Sequence, residues 1–134
     1  MIIMPEKQRV LVVDDNEGMG DLLSRRLQSE GYEVDLTGDG QEGLEKLPDG
    51  YFALFTDLEM PRLDGVGLIK GARERGYDGA AFLMSATHGV DKYLADHGLT
   101  REQFFSPAYC NGFLNKPFSP ITAPLRMLAE YKPR

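Results

Sequence analysis

The segment Phe55-Thr-Asp-Leu-Glu-Met-Pro-Arg-Leu-Asp-Gly65 sets one carboxylate where a strand stops and a loop begins. Phe52, Ala53, Leu54 and Phe55 form an unbroken apolar run, the pattern of a strand buried on both faces of a parallel sheet. Asp57 follows as the run ends, and Pro61 and Gly65 mark the loop. In open α/β sheets ligands bind beyond the carboxyl ends of strands, so Asp57 faces a crevice. An Asp at this point also simply begins turns in many proteins. The decision therefore rests on what the rest of the chain delivers to the same edge.

Upstream, Arg9 to Val13 reads as a central strand ending at Asp14-Asp15. Met19, Leu22, Leu23 and Leu27 share one face of a following helix, and Gly31 is its C-terminal stop. Tyr32, Val34 and Leu36 alternate with Glu33, Asp35 and Thr37, which predicts an edge strand with one wet face. Asp39 with Glu42 resembles a capping box opening a short helix to Leu47, and Pro48-Asp-Gly50 is a turn. Downstream, Asp64 caps a helix running to about Arg75. Gly65, Gly67 and Gly71 weaken that helix by roughly 1 kcal/mol each when interior, so packing must hold it. Ala80 to Met84 is a fourth apolar run ending at Ser85, and Gly112 to Leu114 a short fifth ending at Asn115-Lys116-Pro117. Five strands alternating with helices predict a doubly wound α/β domain: a parallel sheet, right-handed crossovers and helices on both faces.

The 134 residues are expected to make one domain, 1–134, with a core over about 8–131. A net charge of −6 with no basic patch argues against a nucleic-acid surface. No apolar run approaches membrane-spanning length, and Met1 to Met4 is too short for a signal-peptide core. A soluble cytoplasmic protein is expected. The single cysteine, Cys110, excludes an internal disulfide and suits a reducing compartment.

Four of the five strand ends deliver polar groups: Asp14 and Asp15, Asp57, Ser85, and Lys116. If the first and third strands are neighbours, three carboxylates converge. Each like-charge pair at about 4 Å costs roughly 4 kcal/mol at an effective dielectric of 20. Lys116 neutralises one charge, which leaves room for a hard divalent ion, and few carboxylates with water and a phosphate oxygen suit Mg²⁺.

Together, Asp14-Asp15, Asp57 with Met60-Pro61 and Asp64-Gly65, Ser85-Ala86, and Lys116-Pro117-Phe118 resemble the receiver domain of two-component response regulators, over Arg9 to about Tyr131. The resemblance implies a flavodoxin-like sheet of order 2-1-3-4-5, as in chemotaxis receivers. It implies that Asp57 accepts a phosphoryl group from a histidine kinase or phosphotransfer protein. Asp15, Asp57 and the backbone carbonyl of Glu59 would ligate Mg²⁺, with Asp14 acting mostly through water. Lys116 would pair with a phosphoryl oxygen. Ser85 matches the switch hydroxyl, and Phe113 the aromatic whose rotamer follows it, here by packing alone. Such a domain is not an enzyme on other substrates; it promotes only its own phosphorylation and dephosphorylation and switches a surface for a downstream protein. The resemblance also implies a cis Lys116-Pro117 bond.

Two stretches depart from that pattern. The interval from Ser85 to Lys116 is several residues longer than this family usually has, and Thr87 to His97 and Leu99 to Phe105 can form two short helices ended by Pro107. Tyr93, Phe104, Phe105 and Tyr109 in this interval either form a partner surface or fill an enlarged core. After Ser119-Pro120, which suits an N-cap and first position, Pro124 would break a helix, so the last helix is short and begins near it. Two other readings compete. Gly38-Asp-Gly-Gln-Glu-Gly43 is a literal dinucleotide fingerprint followed by an acid, Asp57, but leaves Asp14-Asp15, Ser85 and Lys116 unexplained. A non-phosphorylated receiver-like interaction module would usually lose an acid or the Lys, and all are present. Asp35, Asp39 and Gly40 hint at an EF-hand, but Thr37 and Lys46 stand where oxygen ligands are needed. His88 and His97 lack metal-spaced partners, and Cys110 reads as a packing residue.

Overall fold

The computed structural model describes residues 7–85, 89–116 and 123–131. Lys116-Pro117, and the helix-start readings at Thr87 and Ser119-Pro120, lie outside them in whole or in part. The elements are β1 (Arg9–Val13), α1 (Glu17–Ser29), β2 (Glu33–Thr37), α2 (Gly40–Lys46), β3 (Ala53–Asp57), α3 (Gly65–Glu74), β4 (Ala80–Ser85), α4 (Val90–Asp96), α5 (Arg101–Phe104), β5 (Gly112–Asn115) and α6 (Ala123–Glu130). The five strands make one parallel sheet in the order β2-β1-β3-β4-β5.

Two apolar layers sandwich the sheet. Val10, Val12, Ala53, Phe55, Phe82 and Met84 pack on Leu23 and Leu27 of α1 and Leu128 of α6. On the other face Leu11, Leu54 and Leu83 meet Leu44 of α2, Val66 and Ile69 of α3, and Val90 and Leu94 of α4. The central strands β1, β3 and β4 alternate between these layers, so both their faces are apolar and each reads as a continuous run.

The local signals act as expected where they are purely local. Gly31 lies at φ 95° beyond α1, and Asp39 and Asp64 accept hydrogen bonds from the amides of Glu42 and Gly67, capping α2 and α3. The glycines of α3 find their reason in packing: a Cβ on Gly65 would run into the Asp57 carbonyl and Leu83. Two glycines of the dinucleotide-like stretch do the same, because a Cβ on Gly40 would meet the Leu63 carbonyl and one on Gly43 would meet Val13.

Two apolar positions differ from the pattern reading. Leu22 is 53% exposed and Leu36 41%, the exposed large apolar residues among those described. The buried sector of α1 is centred on Gly20, Leu23, Ser24 and Leu27, and Leu22 lies 100° of helix rotation from Leu23, off that sector. Leu36 lies over Gly20, but at the end of an edge strand its outer side has no neighbour to cover it. Asp35, expected to be wet, is half-buried and accepts hydrogen bonds from Arg9 at 2.9 Å and the Tyr51 hydroxyl at 2.7 Å.

The long interval before β5 forms α4 and α5, shorter than the pattern suggests; α5 is opened by a reciprocal Thr100/Gln103 capping box. Its rings mostly fill core. Phe104 is fully buried, while Tyr93, Phe105 and Tyr109 pack half-buried against the same layer. Arg73 of α3 holds the return of this interval to the sheet. It donates to the carbonyls of Tyr77, Gly79 and Tyr109 and to Asn111 Oδ1, between 2.6 and 3.0 Å. Because the planar fork serves several acceptors at once, Arg73→Lys should lower stability by about 2 kcal/mol, read as a lower urea midpoint with unchanged slope.

Candidate functional site

Three strand ends meet in one crevice. β1 pairs with β3 from Val10↔Ala53 to Val13↔Thr56, which sets Asp14 beside Asp57 one step later. Asp14 is buried, its Oδ1 accepting from the Asn16 amide at 2.9 Å and its Oδ2 from Lys116 Nζ at 2.6 Å. Lys116 Nζ also lies 3.5 Å from Asp57 Oδ1, and its side chain is only 9% exposed. Asp57 Oδ1 accepts from the Leu58 amide at 2.9 Å. Asp15 is exposed at the lip, and one oxygen from each of Asp14, Asp15 and Asp57 lies within 4.8 Å of the others.

Three carboxylates face one ammonium. Burial, with Asp14 and Asp15 adding to it and Lys116 opposing it, pushes the Asp57 carboxyl up to about 6. Between the ordinary value of 3.8 and about 6 the folded state binds more protons than the unfolded chain. Asp57 therefore contributes stability that is present below that window and is lost as pH rises through it. Without metal, wild type should lose about 1 kcal/mol relative to Asp57→Asn between pH 4 and 8, after allowing for solvent screening of this partly exposed group. Parallel unfolding curves across that range check it.

Of the other expected residues, Ser85 ends β4 and is buried one position past Met84, the register partner of Asp57. Its neighbour across β5 is Asn115, and the Lys116 amide donates to the Ser85 carbonyl at 2.9 Å. Phe113 pairs with Leu83, lower in the sheet, and meets Phe105 edge to face with centroids 6.1 Å apart. Glu59 is exposed on the loop after Asp57.

Beside the carboxylates an open cleft is lined by Asp14, Asp15, Glu17, Asp21, Leu36 and Thr37. A separate cavity of about 240 Å³ between Leu47, Tyr51, Ala72 and Tyr77 lies before the amino ends of β3 and β4, away from the carboxylates. His97 has no partner at metal spacing in the sequence, and in the fold its Nε2 lies 2.8 Å from Asp64 Oδ2. Nothing in the local pattern marks that pair, which is 33 positions apart. Cys110 is buried, and burial pushes its thiol up to about 11, in keeping with packing.

Residues 10–123 match the family model for the response regulator receiver domain. The response regulator MprA of Mycobacterium ulcerans is 37% identical over 112 residues, 83% of this chain and 44% of the relative. MprA of Mycobacterium tuberculosis is 36% identical over the same length. The chain thus spans under half the length of these curated relatives. Among solved structures, the receiver domain of a sensor histidine kinase from Pseudomonas aeruginosa, described with a magnesium ion coordinated in its active-site cleft, matches with TM-score 0.77 at 24% identity, covering 94% of this chain and 98% of that one. The Thermotoga maritima response regulator TrrA, in complex with Mg²⁺ and BeF, matches with TM-score 0.69 at 29% identity, covering 90% and 98%. No helix among the described residues is long and apolar enough to cross a membrane. The sheet order, the acidic crevice at its carboxyl edge and these matches lead to one conclusion: the chain belongs to the response regulator receiver domain family, whose members are signalling domains of two-component systems rather than enzymes acting on other substrates.

Proposed function

We propose that this chain receives a phosphoryl group on Asp57 from a histidine kinase or phosphotransfer protein, in the cytoplasm, and changes its affinity for a downstream protein. The observation that carries the reading is the convergence of Asp14, Asp15 and Asp57, with a largely covered Lys116 side chain bonded to Asp14 and 3.5 Å from Asp57. The donor set is hard oxygen with a charge of about −2 left after Lys116, which fits Mg²⁺. Asp15, Asp57 and the Glu59 carbonyl are the ligands in this reading, and Asp14, whose oxygens already serve Lys116 and the Asn16 amide, acts through water. Bound there, the ion offsets like charge and steadies a phosphoryl group's oxygens.

The remaining work belongs to the chain. An ionised Asp57 oxygen attacks phosphorus, the donor's leaving group departs with its bonding electrons, and an acyl phosphate results. Lys116 follows the charge from Asp14 to the phosphoryl oxygens, and Ser85 supplies a hydroxyl to the same group. The Phe113 ring then repacks against Phe105, which carries the change into the 89–111 interval.

Intact-mass measurement after exposure to a small phosphodonor tests the reading. One phosphoryl adduct is expected with Mg²⁺ and none with a chelator; an adduct indifferent to the chelator removes the metal from the proposal.

A further inference from the structure

The contact between His97 and Asp64 joins two elements that the sheet alone does not connect. Asp64 belongs to the loop after Asp57 and is the N-cap of α3: its Oδ1 accepts from the Gly67 amide and its Oδ2 faces His97 Nε2, both at 2.8 Å. The next residue, Gly65, donates to the Leu58 carbonyl at 2.8 Å, and the Leu58 amide donates to Asp57 Oδ1 at 2.9 Å. An unbroken line of hydrogen bonds and peptide units therefore runs from the carboxylate of Asp57 to the imidazole at the end of α4. That ring has a place made for it, because a Cβ on Gly67 would collide with His97. One turn earlier on α4, the Tyr93 phenol is raised by burial and by the Glu59 carboxylate beside it, a second contact between α4 and the same loop.

We propose that His97 is a positioning residue: through Asp64 it holds the 58–64 loop in the shape that the Asp57 site requires, and so couples α4 to the state of that site. The proposal rests on the reading of Asp57 as a metal-dependent phosphoacceptor. Its physical content is preorganisation. A loop held by its N-cap residue loses less freedom on ligand binding, and the coupling is reciprocal, so a ligand at Asp57 must also steady α4. This route runs along the α3 side of the loop and uses neither Ser85 nor Phe113.

The test compares wild type, His97→Ala and His97→Gln of the full chain. Mg²⁺ affinity is read by calorimetry, and hydrogen exchange of amides 89–98 is read with and without Mg²⁺ plus beryllium fluoride. His97→Ala should bind Mg²⁺ about three- to tenfold more weakly, within the range over which residues that touch neither ligand alter coupling. It should also lose the ligand-induced protection of 89–98. His97→Gln, whose amide nitrogen can still donate to Asp64, should restore both and serves as the folded control. Wild-type affinity in His97→Ala would overturn the proposal. So would protection of 89–98 that persists without the imidazole, or a Gln variant as defective as Ala, which would reduce His97 to packing over Gly67. A wild-type protein indifferent to Mg²⁺ would instead overturn the reading of Asp57 as a metal-dependent phosphoacceptor, and the positioning role with it.

Discussion

Asp57→Asn, exposed to a small phosphodonor with Mg²⁺, should stay at its unmodified mass while wild type gains one phosphoryl group. The amide has no anionic oxygen to attack phosphorus, so the loss is expected to be complete rather than partial. The same substitution should stabilise the metal-free fold at pH 8, since it removes one of three crowded carboxylates, the one that burial first and then the charges of Asp14 and Asp15 push up to about 6. Mg²⁺ should then raise the melting temperature of wild type and leave Asp57→Asn nearly unmoved. The two readouts separate a dead nucleophile from a damaged fold. A full adduct on Asp57→Asn would move the phosphoacceptor elsewhere and end the assignment.

Lys116→Ala should have the largest effect on stability. Its ammonium donates to Asp14, whose side chain is fully buried, and its own side chain is 9% exposed. Removing one partner of such a pair leaves an uncompensated buried charge, at a cost of about 3–5 kcal/mol without metal. For a domain of this size that lowers the melting temperature by roughly 10 °C or more. Lys116 also opposes the upward shift of Asp57, so in the variant Asp57 should titrate higher than it does in wild type. A divalent cation can supply part of the missing positive charge. Saturating Mg²⁺ should therefore recover more stability in Lys116→Ala than it adds to wild type. Urea unfolding with and without Mg²⁺ reads both numbers. A metal-free loss under 1 kcal/mol would mean that Asp14 keeps its stability without the ammonium, and the charge balance argued for the crevice would fall.

The architecture and the candidate site were legible to different depths, for reasons that follow the range of the forces involved. The apolar runs at Val10 to Val13, Ala53 to Phe55 and Ala80 to Met84 are unbroken because each strand is covered on both faces, so burial imposes the signal residue by residue. Caps at Asp39 and Asp64 and the positive φ at Gly31 depend on three or four neighbouring residues, and sequence by itself determined them. The strand-end positions of Asp14, Asp15, Asp57, Ser85 and Lys116 followed in the same way, and with them the family. Tertiary structure alone decided the rest. Leu22 and Leu36 are exposed because the angle of α1 on the sheet and the edge position of β2 set which apolar side chains are covered. Arg73 met four partners in two separate connections, Tyr77 and Gly79 before β4 and Tyr109 and Asn111 before β5, and Lys116 met Asp14 across 102 positions of chain. His97 met Asp64 only because the C-terminal end of α4 reaches the N-terminus of α3 where Gly67 leaves room. Such contacts have no sequence period, since a side chain's long-range partner is fixed by strand register and helix packing, and the burial and charge balance that set Asp57 apart from an ordinary carboxylate exist only once those strands have come together.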